Sequence, residues 1–135
     1  MRAKWRELPH TADLRLQGHG ARAADAVGAL LAGLQAVVFG EVLSSRPTSW
    51  EEWTPEPAPA ELLLVELLGE ALHRLQLRGE AIVVLDGGLE TGRLGVAPMP
   101  ADATPLREVK AVTYNEPALR QEPDGSWIAE VTLDV

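Results

Sequence analysis

The stretch ELLLVELLGEALHRLQL, residues 61–77, constrains the fold more than any other part of the chain. Leu62, Leu64, Val65, Leu67, Leu68, Ala71, Leu72 and Leu75 recur at helical spacing and cover most of the circumference, so such a helix has to be covered on several sides. Glu61 in its first turn and His73, Arg74 and Arg78 near its end, just before Gly79, suit the helix dipole. With 135 residues, 46% of them hydrophobic, the chain has material for one real core and not for two. A single domain over residues 1–135 is therefore expected, with this helix as its central and most buried element.

The cover comes from a second helix and from strands. Between Ala23 and Phe39 the apolar positions Ala23, Val27, Leu30, Leu31, Leu34 and Val38 keep helical spacing, and Gly40 supplies a left-handed C-cap. Residues 4–8 and 13–17 read as short strands, the second alternating Leu14 and Leu16 with Asp13, Arg15 and Gln17. Residues 41–53 form a strand or an excursion, and TPEPAPAE is a rigid connector. EAIVVLDGGLETGRLGVAPM reads as a hairpin turning at Asp86-Gly87-Gly88, followed by the strands LREVKAVTYN and SWIAEVTLDV. This order predicts an α+β fold, a largely antiparallel sheet with two main helices packed on one face.

Charge and composition exclude several functions. The formal net charge is −8, from 20 acids against 12 bases, so direct non-specific binding to a nucleic-acid backbone is not expected. An acidic surface suits docking onto a basic partner protein. The absence of cysteine removes disulfides, thiolate nucleophiles and thiolate zinc sites. MRAKWRELPH has no apolar h-region, and AVGALLAGLQAVVFG is short of the roughly 20 residues that cross a bilayer. The expectation is a soluble, cytoplasmic protein with no membrane partner.

Two motifs carry chemistry. GHGARA, with Gly18, Gly20 and Ala23, has dinucleotide-binding spacing between a strand and a helix and would make the chain a small nucleotide-binding enzyme. DLRLQ alternates, however, whereas a Rossmann first strand is buried on both faces, and two glycines easing a sharp strand-to-helix turn is the simpler reading. The other motif is dispersed: His10 and Asp13 in PHTADL, Lys110 in EVKAVTY, and Asp134 beside Val135. The apolar alternation Trp127, Ala129, Val131, Leu133, Val135 keeps this last segment packed. Asp134 and the terminal carboxylate of Val135 then stand side by side, as oxygens that hold calcium or magnesium do. Serine and histidine show no local acid or base partner of the kind nucleophilic catalysis needs.

HTADL, the helix after the glycine pair, LLLVELLGEAL, VKAVTY and the final LDV together resemble the archease family, in order and spacing over nearly the whole chain. The resemblance implies a small α+β protein cofactor, not itself an enzyme, that activates an RtcB-type RNA ligase in tRNA splicing and RNA repair. It would promote ligase guanylylation and multiple turnover. It also implies a divalent metal, calcium first with magnesium or manganese as alternatives, at Asp13, Asp134 and the carboxylate of Val135. Lys110 would be needed for activation, with His10 a neighbour of the site. Asn115 stands where many family members carry histidine after KAVTY. A metal-free scaffold for RNA-processing enzymes is the other reading of the same residues. A tight hairpin about Asp124-Gly125 would set Asp134 roughly opposite Asn115 and Lys110 on the other face, unless a bulge near Pro117 intervenes.

Overall fold

The structure is a computed structural model that describes residues 3–8 and 13–135. In chain order its elements are β1 (Lys4–Leu8), β2 (Leu14–Gly20), α1 (Ala23–Phe39), β3 (Ser49–Trp53), α2 (Ala60–Leu77), β4 (Glu80–Gly87), β5 (Gly92–Pro98), β6 (Ala111–Gln121) and β7 (Trp127–Asp134). The expected α+β class holds. All the strand pairings are antiparallel, and the strands divide into two sheets, ordered β1-β2-β7-β6 and β3-β5-β4.

Helix α1 spans the residues that its periodicity predicts. The Asp25 carboxylate accepts the Arg22 backbone N–H at 3.1 Å at one end, and Gly40 adopts φ +85° at the other. Buried Gln35 pins the chain that follows, accepting the amides of Leu43 and Ser44 and donating to the Ser44 carbonyl.

The central helix is α1 and not α2, contrary to the sequence expectation. α1 packs against strands of both sheets and against α2, whereas α2 packs chiefly on β4, β6 and α1. On α2, Leu62 and Leu77 reach solvent. The cause lies in β2: a Cβ on Gly18 would stand 2.3 Å from the Ala26 carbonyl oxygen, and one on Gly20 would stand 2.6 Å from the Ala26 nitrogen. Only glycine lets the α1 backbone lie directly on that strand. The pair serves close packing, and the helix occupies the space a dinucleotide phosphate would need; the antiparallel neighbours of β2 also rule out a Rossmann unit.

The segment read as the strand LREVKAVTYN starts later than expected, at Ala111, and continues through Pro117 to Gln121. Residues before it are held differently. The Gln76 side chain of α2 donates to the Val109 carbonyl and accepts the Val109 amide, so the main chain there is satisfied by a helix rather than by a sheet neighbour.

Candidate functional site

The site is built on the end of the four-stranded sheet where β2, β6 and β7 meet. Register fixes it. Leu14 pairs with Leu133, so one further step along both strands brings Asp13 level with Asp134. On the other side of β7, Asp134 pairs with Ala111, and the Lys110 amide donates to the Asp134 carbonyl at 2.7 Å. The three predicted residues Asp13, Asp134 and Lys110 are thus adjacent along the sheet. His10 lies outside the described residues.

Strand alternation sets the face of the two carboxylates. Leu14, Leu16, Val131 and Leu133 turn inward to the core, which leaves Asp13 and Asp134 on the outer face, in line with Arg15, Gln17, Glu130 and Thr132. Asp13 and Asp134 are half-buried, while Lys110 and Val135 are exposed. Neither Asp side chain has a hydrogen-bond or ion-pair partner among the described residues. Their donor set is entirely oxygen and suits a hard cation such as calcium or magnesium. Among the described residues no three His, Asp or Glu side chains converge on one point, so a cation there would need further oxygens from the main chain, water or a partner.

The same face carries a network that no local sequence motif announces. Arg15 pairs with Glu130 at 2.7 Å and donates to the Thr132 hydroxyl at 2.8 Å and to the Glu116 carbonyl at 2.7 Å. Glu130 also accepts from Gln17 and from Arg120. Burial pushes the Glu130 carboxyl up, but the hydrogen bonds from Gln17, Arg15 and Arg120 outweigh it and hold the carboxyl below its ordinary value. At the far end His19 meets the Gln17 side-chain oxygen. Burial, then the cations of Arg6 and Lys4, lower the pKa of its imidazole. A signal was available in the sequence: DLRLQ and AEVTLD alternate with the same period and carry complementary charge. Nothing local, however, pairs two strands more than a hundred residues apart.

Among the described residues the site lies on an open sheet end and not in a cleft. Cavities of about 430 and 380 Å3 open beside α1, lined by residues such as Trp5, Gly28 and Trp50 in one and Val27, Leu119 and Trp127 in the other. Neither includes Asp13, Lys110 or Asp134. Among the described residues no helix is long and apolar enough to cross a membrane.

Comparison with known proteins agrees with this architecture. The sequence profile of the "Archease protein family" matches residues 5–135. A protein archease of Thermococcus kodakarensis is 30% identical over 98% of this chain and 99% of its own length, and one of Pyrococcus furiosus is 28% identical over the same shares. In structure, the chain is similar to a Thermotoga maritima archease described as a possible chaperone, with TM-score 0.68, 16% identity and 95% and 94% of the two chains covered. A Methanobacterium thermoautotrophicum protein solved in solution has TM-score 0.63, 21% identity and 99% of each chain covered.

Proposed function

The chain belongs to the archease family, and from that premise we propose that it is a non-catalytic protein cofactor of an RtcB-type RNA ligase. It promotes guanylylation of the ligase and multiple turnover in tRNA splicing or RNA repair, acting in the cytoplasm. The observation that carries this reading is the main-chain adjacency of Asp13, Asp134 and Lys110 at one sheet end. Among the described residues, the cavities beside α1 do not reach Asp13, Asp134 or Lys110, and an open group of this kind neither orients a small substrate nor excludes water. It is well placed to enter the site of another protein.

Asp13 and Asp134, with the main-chain oxygens of Val135, would hold the divalent ion, calcium first and magnesium or manganese otherwise. An ion held there would supply positive charge beside the two carboxylates and could attract phosphate oxygens. Lys110, exposed and next to Asp134 in the main-chain ladder, adds a cation on a flexible stem that suits phosphate. Activation requires no chemistry from this chain. By binding the nucleotide-accepting conformation of the ligase more tightly than its resting one, it shifts the population towards the active form, and only that difference in affinity counts. The formal charge of −8 favours encounter with a basic ligase surface.

A cognate ligase assayed for guanylylation and turnover with and without this protein tests the proposal. Increased guanylylation and repeated turnover are expected. Unchanged rates at saturating protein would refute it, and stable association without a rate change would favour the metal-free scaffold.

A further inference from the structure

The ladder between β6 and β7 is in two registers. Next to the turn, Gln121 pairs with Trp127 and Ala118 with Glu130. Continued without interruption, that register would place Tyr114 opposite Asp134. Beyond the irregularity Thr113 pairs with Thr132 and Ala111 with Asp134. Residues 114–117 of β6 therefore stand against Val131 alone, three residues more than a regular ladder holds. An odd offset exchanges the faces of the strand: it turns Val112 towards Leu133 and the core, where the uninterrupted register would put Asn115. It also brings the Lys110 main chain to Asp134, whose carbonyl accepts the Lys110 amide.

The bulge contains a backbone conformation that costs free energy to hold. Glu116 has φ +53°, in the left-handed region that residues with a Cβ disfavour. Two side chains from other strands grip this turn of chain. Thr132, fully buried, donates its hydroxyl to the Asn115 carbonyl at 3.0 Å. Arg15 donates to the Glu116 carbonyl and, with its other terminal nitrogen, to the Thr132 hydroxyl. Glu130 anchors Arg15 in turn. Consecutive carbonyls of the bulge are thus held by a relay that crosses β2 and β7.

We infer that Thr132 and Arg15 are positioning residues, clamping the bulge of β6 in the one register that sets Lys110 beside Asp134. This rests on the reading that Lys110 and Asp134 act together on the ligase. The clamp needs a hydroxyl at position 132, because that group both receives from Arg15 and gives to Asn115. Valine has the same shape and neither capacity.

Amide hydrogen exchange of the full-length protein, followed residue by residue by NMR, reads the clamp without reference to the ligase. In Thr132→Val the Lys110 amide should exchange roughly tenfold faster, the loss expected when a hydrogen bond of ordinary strength is removed. Amides of Arg120 and Ile128, on the turn side of the bulge, should change by less than about twofold, a separation that a general loss of stability does not produce. Thr132→Ser, which keeps the hydroxyl, should restore Lys110 protection, and Thr132→Ala gives the same contrast if the valine variant does not fold. Ligase activation should fall in Thr132→Val and return in Thr132→Ser. Wild-type Lys110 protection in the variants without a hydroxyl would overturn the clamp. Lost protection with full activation would overturn its functional role. Failure of the wild-type protein to activate any cognate ligase would instead remove the reading beneath it, and is visible separately.

Discussion

On the inner face of the β1-β2-β7-β6 sheet, Leu16, Val131 and Leu133 are fully buried against α1; on the outer face, Gln17, Glu130 and Thr132 are nearly as inaccessible. The inner face is buried by another element and gains its stability from apolar area removed from water. The outer face has its cover in the long side chains of Arg6, Arg15 and Arg120 and in the bulge of β6, and gains stability only as far as its polar groups are paired. Each buried polar group there has a geometric requirement that a leucine does not have. A face of this kind can specify a register and hold a strained turn, which an apolar face of interchangeable methyl groups does less well. The candidate site lies where this polar face ends.

The largest effect that separates the faces is expected on the apolar one. Leu16→Ala should destabilise by about 3 kcal/mol through lost transfer energy and a cavity against α1, measured by urea unfolding, with little change in ligase activation per folded molecule. On the polar face, Glu130→Ala should cost about 2 kcal/mol, because Arg15 and Arg120 lose a shared partner at a site shielded from solvent. Unlike Leu16→Ala, it should also loosen the bulge and lower activation. Equal loss of activation per folded molecule in both variants would erase the distinction between the faces.

Acid separates the two faces further. The Glu130 carboxyl titrates below its ordinary value of 4.5 in the folded chain, so its contribution is complete above that value and is lost as pH falls through the folded one. His19 behaves in the same direction for the opposite reason. Its pKa lies below 6.5 when folded, through burial and then the cations of Arg6 and Lys4, so the unfolded chain takes up protons first and stability declines as pH drops below 6.5. His19→Gln should flatten that first decline and Glu130→Gln the second, whereas Leu16→Ala should shift the whole profile without altering its slope. The smallest effect is a gain: Glu116→Gly should add about 0.5 kcal/mol, the left-handed penalty relieved less the entropy of glycine.

Much of this fold is written locally in the chain. Helix α1 is bounded by its own periodicity and by Gly40, and the β4–β5 hairpin by Gly87, whose φ is +100°. The rank of the two helices was not legible in hydrophobicity, because what makes α1 central is the bare backbone of Gly18 and Gly20 beneath it. For the same reason the glycine pair imitates a nucleotide loop while serving close packing. The late start of β6 depends on Gln76, a residue of α2 with no sequence signal linking it to Val109. Pro117 signalled a bulge; its size, and so the place of Lys110, depended on Arg15 and Thr132 from two other strands.

Asp13 and Asp134, where the outer face ends, are on this reading present for binding and not for folding, unlike Glu130 on the same face. Calcium, magnesium and manganese titrated into wild type and Asp13→Asn, with unfolding free energy and ligase turnover measured on the same samples, test it most directly. Asn keeps any hydrogen bonds to the turn backbone but removes one of two carboxylates that the register makes neighbours, so stability should stay within about 0.5 kcal/mol of wild type or rise, while metal affinity and activation fall together. Wild-type metal affinity with full activation in Asp13→Asn would contradict the claim.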